Sequence, residues 1–150
     1  MNFSLSTSAE YADIAAIHDE LYEYNLSKTG CERSEVHAKQ LPEAFAVTVR
    51  SESGEIVGGA AAHWESDPRH IFIDYLFMRE VLRNQGWGHR IFAELEAILR
   101  SGKGEYIEVT TNTFQAPGFY LKAGFEIIGE KAAPVPLMPE NKHYRLRKKL

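Results

Sequence analysis

A single cysteine, Cys31, stands in a chain of 150 residues, so an internal disulfide is excluded and the expected setting is a reducing cytoplasm. The six histidines and that thiol show no His-x-x-x-His or Cys-x-x-Cys spacing, which leaves no metal-ligating pattern. No run approaches the ~20 apolar residues that cross a bilayer, and MNFSLSTSAEY has no basic stretch leading into an apolar one, so neither a membrane span nor a secretory signal is expected. Positive charge is scarce. With 17 Lys and Arg against 21 Asp and Glu the net charge is −4, which argues against a nucleic-acid partner. The one basic cluster, Arg145, Arg147, Lys148 and Lys149, reads as an exposed edge strand protected by its charge. Linkers, repeats and low-complexity segments are also missing, so one domain over residues 1–150 is the economical division.

What is present is an ordinary globular composition, 44% apolar and 25% charged, arranged in alternating element types. Ile14, Ile17, Leu21 and Tyr24 recur at helical spacing within Ala9 to Leu26, with Ser8 as the expected N-cap and Gly30 closing the region. Residues 31–42 fit a short helix or a loop. Phe45, Val47 and Val49 alternate, Ser53-Gly54 marks a turn and Ile56 to Trp64 resumes an extended run, which together predict a hairpin. In the next strand simple alternation places Ile71, Ile73, Tyr75 and Phe77 on one face and Phe72, Asp74, Leu76 and Met78 on the other. Ile91, Phe92, Leu95, Ile98 and Leu99 form the apolar stripe of a helix that Gly102 stops. A strand over Tyr106 to Thr111, a short helix around Phe119 to Ala123 with Gly124 at its left-handed end, and strands at Phe125 to Glu130 and Tyr144 to Lys149 complete the pattern.

The most informative stretch is Ile73 to Arg90, IDYLFMREVLRNQGWGHR, where a strand runs into Arg-x-x-Gly-x-Gly and then a helix. Glycines at 86 and 88 let the main chain come close to a ligand, and the first N–H groups of the helix point at it with the positive end of the dipole behind them. A pyrophosphate suits such a cradle. The dinucleotide fingerprint fits poorly because Ile91 stands where a small residue belongs, and no Gly-Lys-Ser/Thr of a P-loop is present.

Arg83, Gly86 and Gly88, preceded by Leu76-Phe77-Met78 and followed by FYLKAGF at Phe119 to Phe125, resemble the two paired motifs of the Gcn5-related N-acetyltransferase (GNAT) superfamily. The resemblance implies an α/β fold with a central mixed, mostly antiparallel twisted sheet flanked by helices. It implies acetyl-CoA as donor, a primary amine of a small molecule or peptide as acceptor, and frequent dimerisation. Cofactor contacts carried over by position are Leu76, Phe77, Met78, Arg83, Asn84, Gln85, Gly86, Trp87, Gly88, His89, Arg90, Asn112, Ala116 and Tyr120. The Met78 N–H would be the oxyanion donor and Tyr120 the acid that serves the leaving thiolate. Asp74, a carboxylate on a mainly apolar strand face, is the candidate base, with His63 and Glu65 as rivals and a paired or solvated Asp as the plain reading. Tyr22, Tyr24 and Asn25 are candidate acceptor contacts or helix packing. A non-catalytic acyl-CoA-binding regulatory module and a toxin-like acetylase of aminoacyl-tRNA are the alternatives, the second disfavoured by the acidic charge.

Overall fold

The alternating apolar residues of 44–50 and 56–65 pair as an antiparallel hairpin, β2 (Ala44–Arg50) and β3 (Ile56–Glu65), across a turn in which Gly54 takes φ +87°. This and the rest of the computed structural model describe residues 2–30, 36–115 and 117–150; Cys31 and Ala116, both considered above, lie outside them. One strand carries no hydrophobic alternation: β1 (Ser4–Ser8), a run of Ser and Thr with the single apolar Leu5, which pairs with β2 from Ser4↔Arg50 to Ser8↔Ala46. Beyond the backbone ladder it offers the sheet only Leu5 against the core and the Ser6 hydroxyl to Thr48 at 3.2 Å, so periodicity passes over it. It also sets the start of α1 (Tyr11–Thr29). Ser8 is still in the strand and is not the N-cap expected from the sequence; its hydroxyl donates to Asp13 at 2.6 Å and accepts the Glu10 N–H at 3.3 Å, while Glu10 occupies the cap position. Gly30, at φ +72°, closes the helix by donating its N–H to Leu26 O at 3.0 Å.

The remaining elements are β4 (His70–Met78), α2 (Trp87–Ser101), β5 (Tyr106–Asn112), α3 (Gly118–Lys122), β6 (Glu126–Ala132) and β7 (Lys142–Lys149), with single 3-10 turns at Glu80–Leu82 and Thr113–Gln115. They build a seven-stranded sheet of order β1-β2-β3-β4-β5-β7-β6 in which only β4 and β5 run parallel. This is the mixed, mostly antiparallel sheet with flanking helices that the sequence implies. The stripe Ile91, Phe92, Leu95 and Leu99 buries α2 against one face, together with Val47, Val49, Ile71, Ile73 and Leu146. Ile14 and Ile17 bury α1 against the other, with Ala46 and Ala61.

Two expectations from the pattern change in three dimensions. In β4 the register with β3 jumps from Ala61↔Tyr75 to Ala62↔Ile73, leaving Asp74 as an extra residue in a bulge. Simple alternation therefore fails at Asp74. Ile71 and Ile73 share the α2 face with Leu76 and Met78, whereas Tyr75 and Phe77 pack on the α1 face. The basic run is not an edge either, because β7 lies between β5 and β6. Three of its four charges are engaged: Arg145 and Arg147 both donate to the buried Glu108 carboxylate at 2.9 Å, and Lys148 reaches Glu96 at 3.2 Å. The edge on this side of the sheet is β6, and β1 is the other.

Glu108 gives a pH prediction. Burial alone would push its carboxyl up, but the hydrogen bonds and charge of Arg145 and Arg147 outweigh that and hold it below the usual range. A depressed folded value contributes stability above the unfolded pKa of about 4.3 and loses it as pH falls further. Glu108→Gln is expected to be less stable than wild type at pH 7, with the difference shrinking below pH 4; thermal melts from pH 3 to 8 check it, and a pH-independent difference would refute the linkage.

Candidate active site

The bulge at Asp74 also opens the sheet. Parallel pairing between β4 and β5 is confined to Ile71–Ile73 against Ile107–Val109, and beyond it the strands part. The unpaired edge of β4 has a definite polarity. The Arg79 N–H donates to Val57 O at 2.9 Å, so Met78↔Gly58 is a non-hydrogen-bonded pair and Phe77↔Gly59 a hydrogen-bonded one. The N–H groups of Met78 and Leu76 consequently turn away from β3 into the gap. A cavity of about 490 Å³ fills that gap. Of the residues singled out in the sequence, it gathers Asp74, Leu76, Phe77, Met78, Arg83, Asn112, Tyr120, Tyr22, Tyr24 and Asn25 in its lining.

The glycine turn follows Arg83, which lines the cavity, whereas Asn84 to Arg90 lie outside its lining. Asn84 (φ +61°) and Gly86 (φ +78°) are both left-handed, a conformation that glycine takes freely and Asn tolerates. Among the described residues, the N–H groups of Asn84 through His89 find no main-chain acceptor, whereas that of Arg90 is spent on Gly86 O at 3.1 Å. The two glycines do different work. A Cβ on Gly86 would meet nothing within 4 Å, so its open side is available to a ligand; one on Gly88 would lie 2.7 Å from the Phe119 ring, so Gly88 serves the packing of α2 on α3. Trp87 is buried edge-on to Phe3, and the Arg90 guanidinium stacks on its ring at 4.0 Å. What Trp87 offers the cradle is its N–H, not its ring. Gln85 folds its amide back onto Val81 O at 2.7 Å, and the Asn84 and His89 side chains are exposed.

Tyr120 arises from α3, with its ring buried among Phe92, Phe119 and Phe125 at centroid distances of 5.5 to 5.9 Å within the cluster. Its hydroxyl has no hydrogen-bond partner among the described residues, yet no side-chain polar atom there is both sealed and unpartnered, so the oxygen faces the cavity. Burial raises its pKa well above the ordinary phenol value, so the proton stays on oxygen throughout the physiological range.

Asp74 and its two rivals form a single chain. His63 Nδ1 lies 2.7 Å from Asp74 Oδ2 and its Nε2 lies 2.9 Å from Glu65 Oε1, with Asp74 and His63 mostly buried and Glu65 at the surface. Burial pushes the Asp74 carboxyl up, and the bond and charge of His63 offset only part of that. Each of the two contacts requires a proton. The His63 ring is thus held between two acidic side chains, one in the cavity wall and one at the surface.

The far wall is an amide network that no sequence pattern announces. Gln115 Oε1 accepts from the Asn112 N–H at 3.0 Å and from Asn112 Nδ2 at 3.1 Å, and Gln115 Nε2 donates to Asn25 Oδ1 at 3.0 Å. Asn141 Nδ2 donates to Asn112 Oδ1 at 3.1 Å, and the Tyr24 hydroxyl donates to Phe114 O at 3.1 Å. The Asn112 amide is thus already engaged on both sides. It ties β5 to the end of α1, and Tyr22 stacks on His18 nearby at 5.9 Å.

A model of the acetyltransferase (GNAT) family matches residues 11–125. An acetyltransferase of Agrobacterium fabrum is 32% identical over 131 residues, 86% of this chain and 87% of that protein. The blasticidin-S acetyltransferase of Streptomyces morookaense is 35% identical over 98 residues, covering 65% and 68%. Among solved structures, an acetyltransferase from Bacillus cereus superposes with a TM-score of 0.62 at 30% identity over 89% of each chain.

Proposed function

The chain belongs to the GNAT acetyltransferase family and uses an acyl-CoA, and from that premise we propose that it is an N-acetyltransferase moving the acetyl group of acetyl-CoA directly to a primary amine of a small molecule. The observation that carries this reading is the parted β4 and β5, which bring a free strand edge, the Tyr120 hydroxyl, the Asp74 carboxylate and Arg83, the residue that leads into the glycine turn, to one cavity. A thioester bound there supplies the acetyl group. The unpaired N–H groups of Asn84 to His89, with the α2 dipole behind them and Arg83 beside them, hold the pyrophosphate. The Met78 N–H, free on the gap side, donates to a carbonyl oxygen as negative charge grows on it. Asp74 takes the proton that the amine must lose as the C–N bond forms, and Tyr120 donates to the sulfur as the C–S bond breaks. Asn112, Gln115 and Asn25 position the acceptor wall through their amide network, so Tyr22 and Tyr24 meet the acceptor from a fixed α1. The name of the Streptomyces relative, blasticidin-S acetyltransferase, supports a small-molecule acceptor over a peptide.

The test uses the open side of Gly86. Asp and Asn are isosteres that both tolerate a positive φ, so Gly86→Asp and Gly86→Asn differ only in charge at the cradle. Calorimetric titration of acetyl-CoA is expected to show the Asp variant at least tenfold weaker than the Asn variant, with equal melting temperatures. Equal affinities would remove the pyrophosphate from this turn, and no binding to folded wild type would remove the function.

A further inference from the structure

The charges that line the cavity are distributed unequally between its two ends. Among the described residues the lining holds one permanent cation, Arg83, and one carboxylate, Asp74. Arg83 belongs to the cradle end. The opposite end, toward α1, is walled by Tyr22, Tyr24, Tyr75, Phe77 and His18, and none of the described Lys or Arg residues lines it. The bulge separates these ends physically, since it sends Leu76 and Met78 to the α2 face and Tyr75 and Phe77 to the α1 face. Among the described residues, what the acceptor end contains is therefore rings, hydroxyls, amides, two imidazoles (His18 and His143) and the Asp74 carboxyl, with His63 and Glu65 chained behind it.

Among the described residues, the charged groups outside the lining stay behind it or at the surface. Lys39, in the segment before β2, lies close enough to act on Asp74, but its side chain is exposed at the surface. Arg145 of β7 lies near Glu65, the outer member of the triad, and is bound to Glu108 at 2.9 Å. His70 sits 3.7 Å from Glu65, again on the outer side. His18 contacts Asp19 at 2.9 Å, adding another carboxylate behind the α1 wall.

We propose that the acceptor is an amine whose neighbouring carbon bears no carboxylate, carried on a flat unsaturated or aromatic body: an arylalkylamine-like cation and not an α-amino acid. This rests on the N-acetyltransferase reading and names its substrate class. An ammonium approaching Asp74 meets the one carboxylate of the described lining in a partly desolvated site, while a carboxylate two bonds from the nitrogen would be held against that same group, with no guanidinium or ammonium among the described residues lining this end to receive it. The aromatic wall offers ring faces to both the cation and a planar body. The reacting atoms balance without a further reagent: the bound ammonium first gives one proton to solvent and becomes the neutral nucleophile, a second N–H then breaks as O–H forms on Asp74, and C–N forms as C–S breaks, the thiolate leaving against the Tyr120 hydroxyl.

The experiment is thiol release by the full chain with acetyl-CoA and three matched amines: tyramine, tyrosine and tyrosinamide, repeated with tryptamine, tryptophan and tryptophanamide. Tyrosinamide keeps the bulk of tyrosine without its charge. The amine and the amide are expected to be used with kcat/KM values within tenfold of one another and the amino acid at least a hundredfold more slowly, with kcat/KM for the amine falling as ionic strength rises. Equal use of amino acid and amine overturns the charge assignment, as does an amide as poor as the acid, which would make bulk the cause. Turnover of none of the six while acetyl-CoA binds overturns it too. Failure of the underlying reading looks different, because acetyl-CoA then fails to bind in calorimetry.

Discussion

Tyr120→Phe is expected to bind acetyl-CoA as wild type does and to lose about a hundredfold or more in kcat. The substitution removes one oxygen and leaves the ring among Phe92, Phe119 and Phe125, so the cluster that holds α3 in place persists. The size of the effect follows from what the phenol can do. Burial raises its pKa, which keeps the donor form present and at the same time makes outright proton transfer to a thiolate, whose own pKa is about 8.5, uphill. Most of the contribution is therefore a strong hydrogen bond to sulfur that appears only as negative charge develops there. Such an interaction favours the transition state over the bound substrate, so kcat falls with little change in affinity. The same argument predicts no loss of wild-type activity from Tyr120 ionisation up to about pH 10. Calorimetry, thiol release and a pH–rate profile check the three statements; wild-type kcat in the Phe variant would remove Tyr120 from the mechanism.

The parts of this site that a linear reading finds are those whose chemistry is local. Arg83, Gly86 and the start of α2 form one turn, so spacing alone places the cradle, and the α2 stripe from Ile91 to Leu99 follows from the helical period. Gly88 shows the limit even there, because its reason is Phe119, thirty-one residues on, and the sequence cannot tell a glycine kept for a ligand from one kept for a ring. The bulge at Asp74 is invisible for a deeper reason. It is a property of the pairing of β4 with β3 and not of β4 itself, so alternation assigns Tyr75 and Phe77 to the wrong face. The Asn25–Gln115–Asn112–Asn141 network joins four segments through side-chain amides with no periodicity. His63, Asp74 and Glu65 look like competitors in the sequence because nothing in it says that β3 and β4 lie side by side at that register.

Their joining makes Asp74→Asn the second large effect. The base must be ionised to accept a proton, and burial pushes its carboxyl above the ordinary range, partly countered by His63. Wild-type kcat/KM should then rise with pH along an acidic limb set by this raised value. The Asn variant keeps the shape of Asp74 and loses the base, so kcat/KM is expected to fall by about a hundredfold near neutrality. Its profile should follow only the free-amine fraction of the acceptor, climbing by one decade per pH unit toward the amine pKa. Stability moves the other way. A carboxyl whose folded pKa is raised contributes stability that is complete below the unfolded value of about 3.9 and is lost as pH rises through the folded value. At pH 7 the ionised Asp74 is thus held at a cost to the fold, and the Asn variant is expected to melt no lower than wild type there while losing its relative advantage at pH 4. A variant that retains the wild-type acidic limb would exclude Asp74 as the base. One that melts earlier at pH 7 with an unchanged profile would make the triad a structural clamp between β3 and β4.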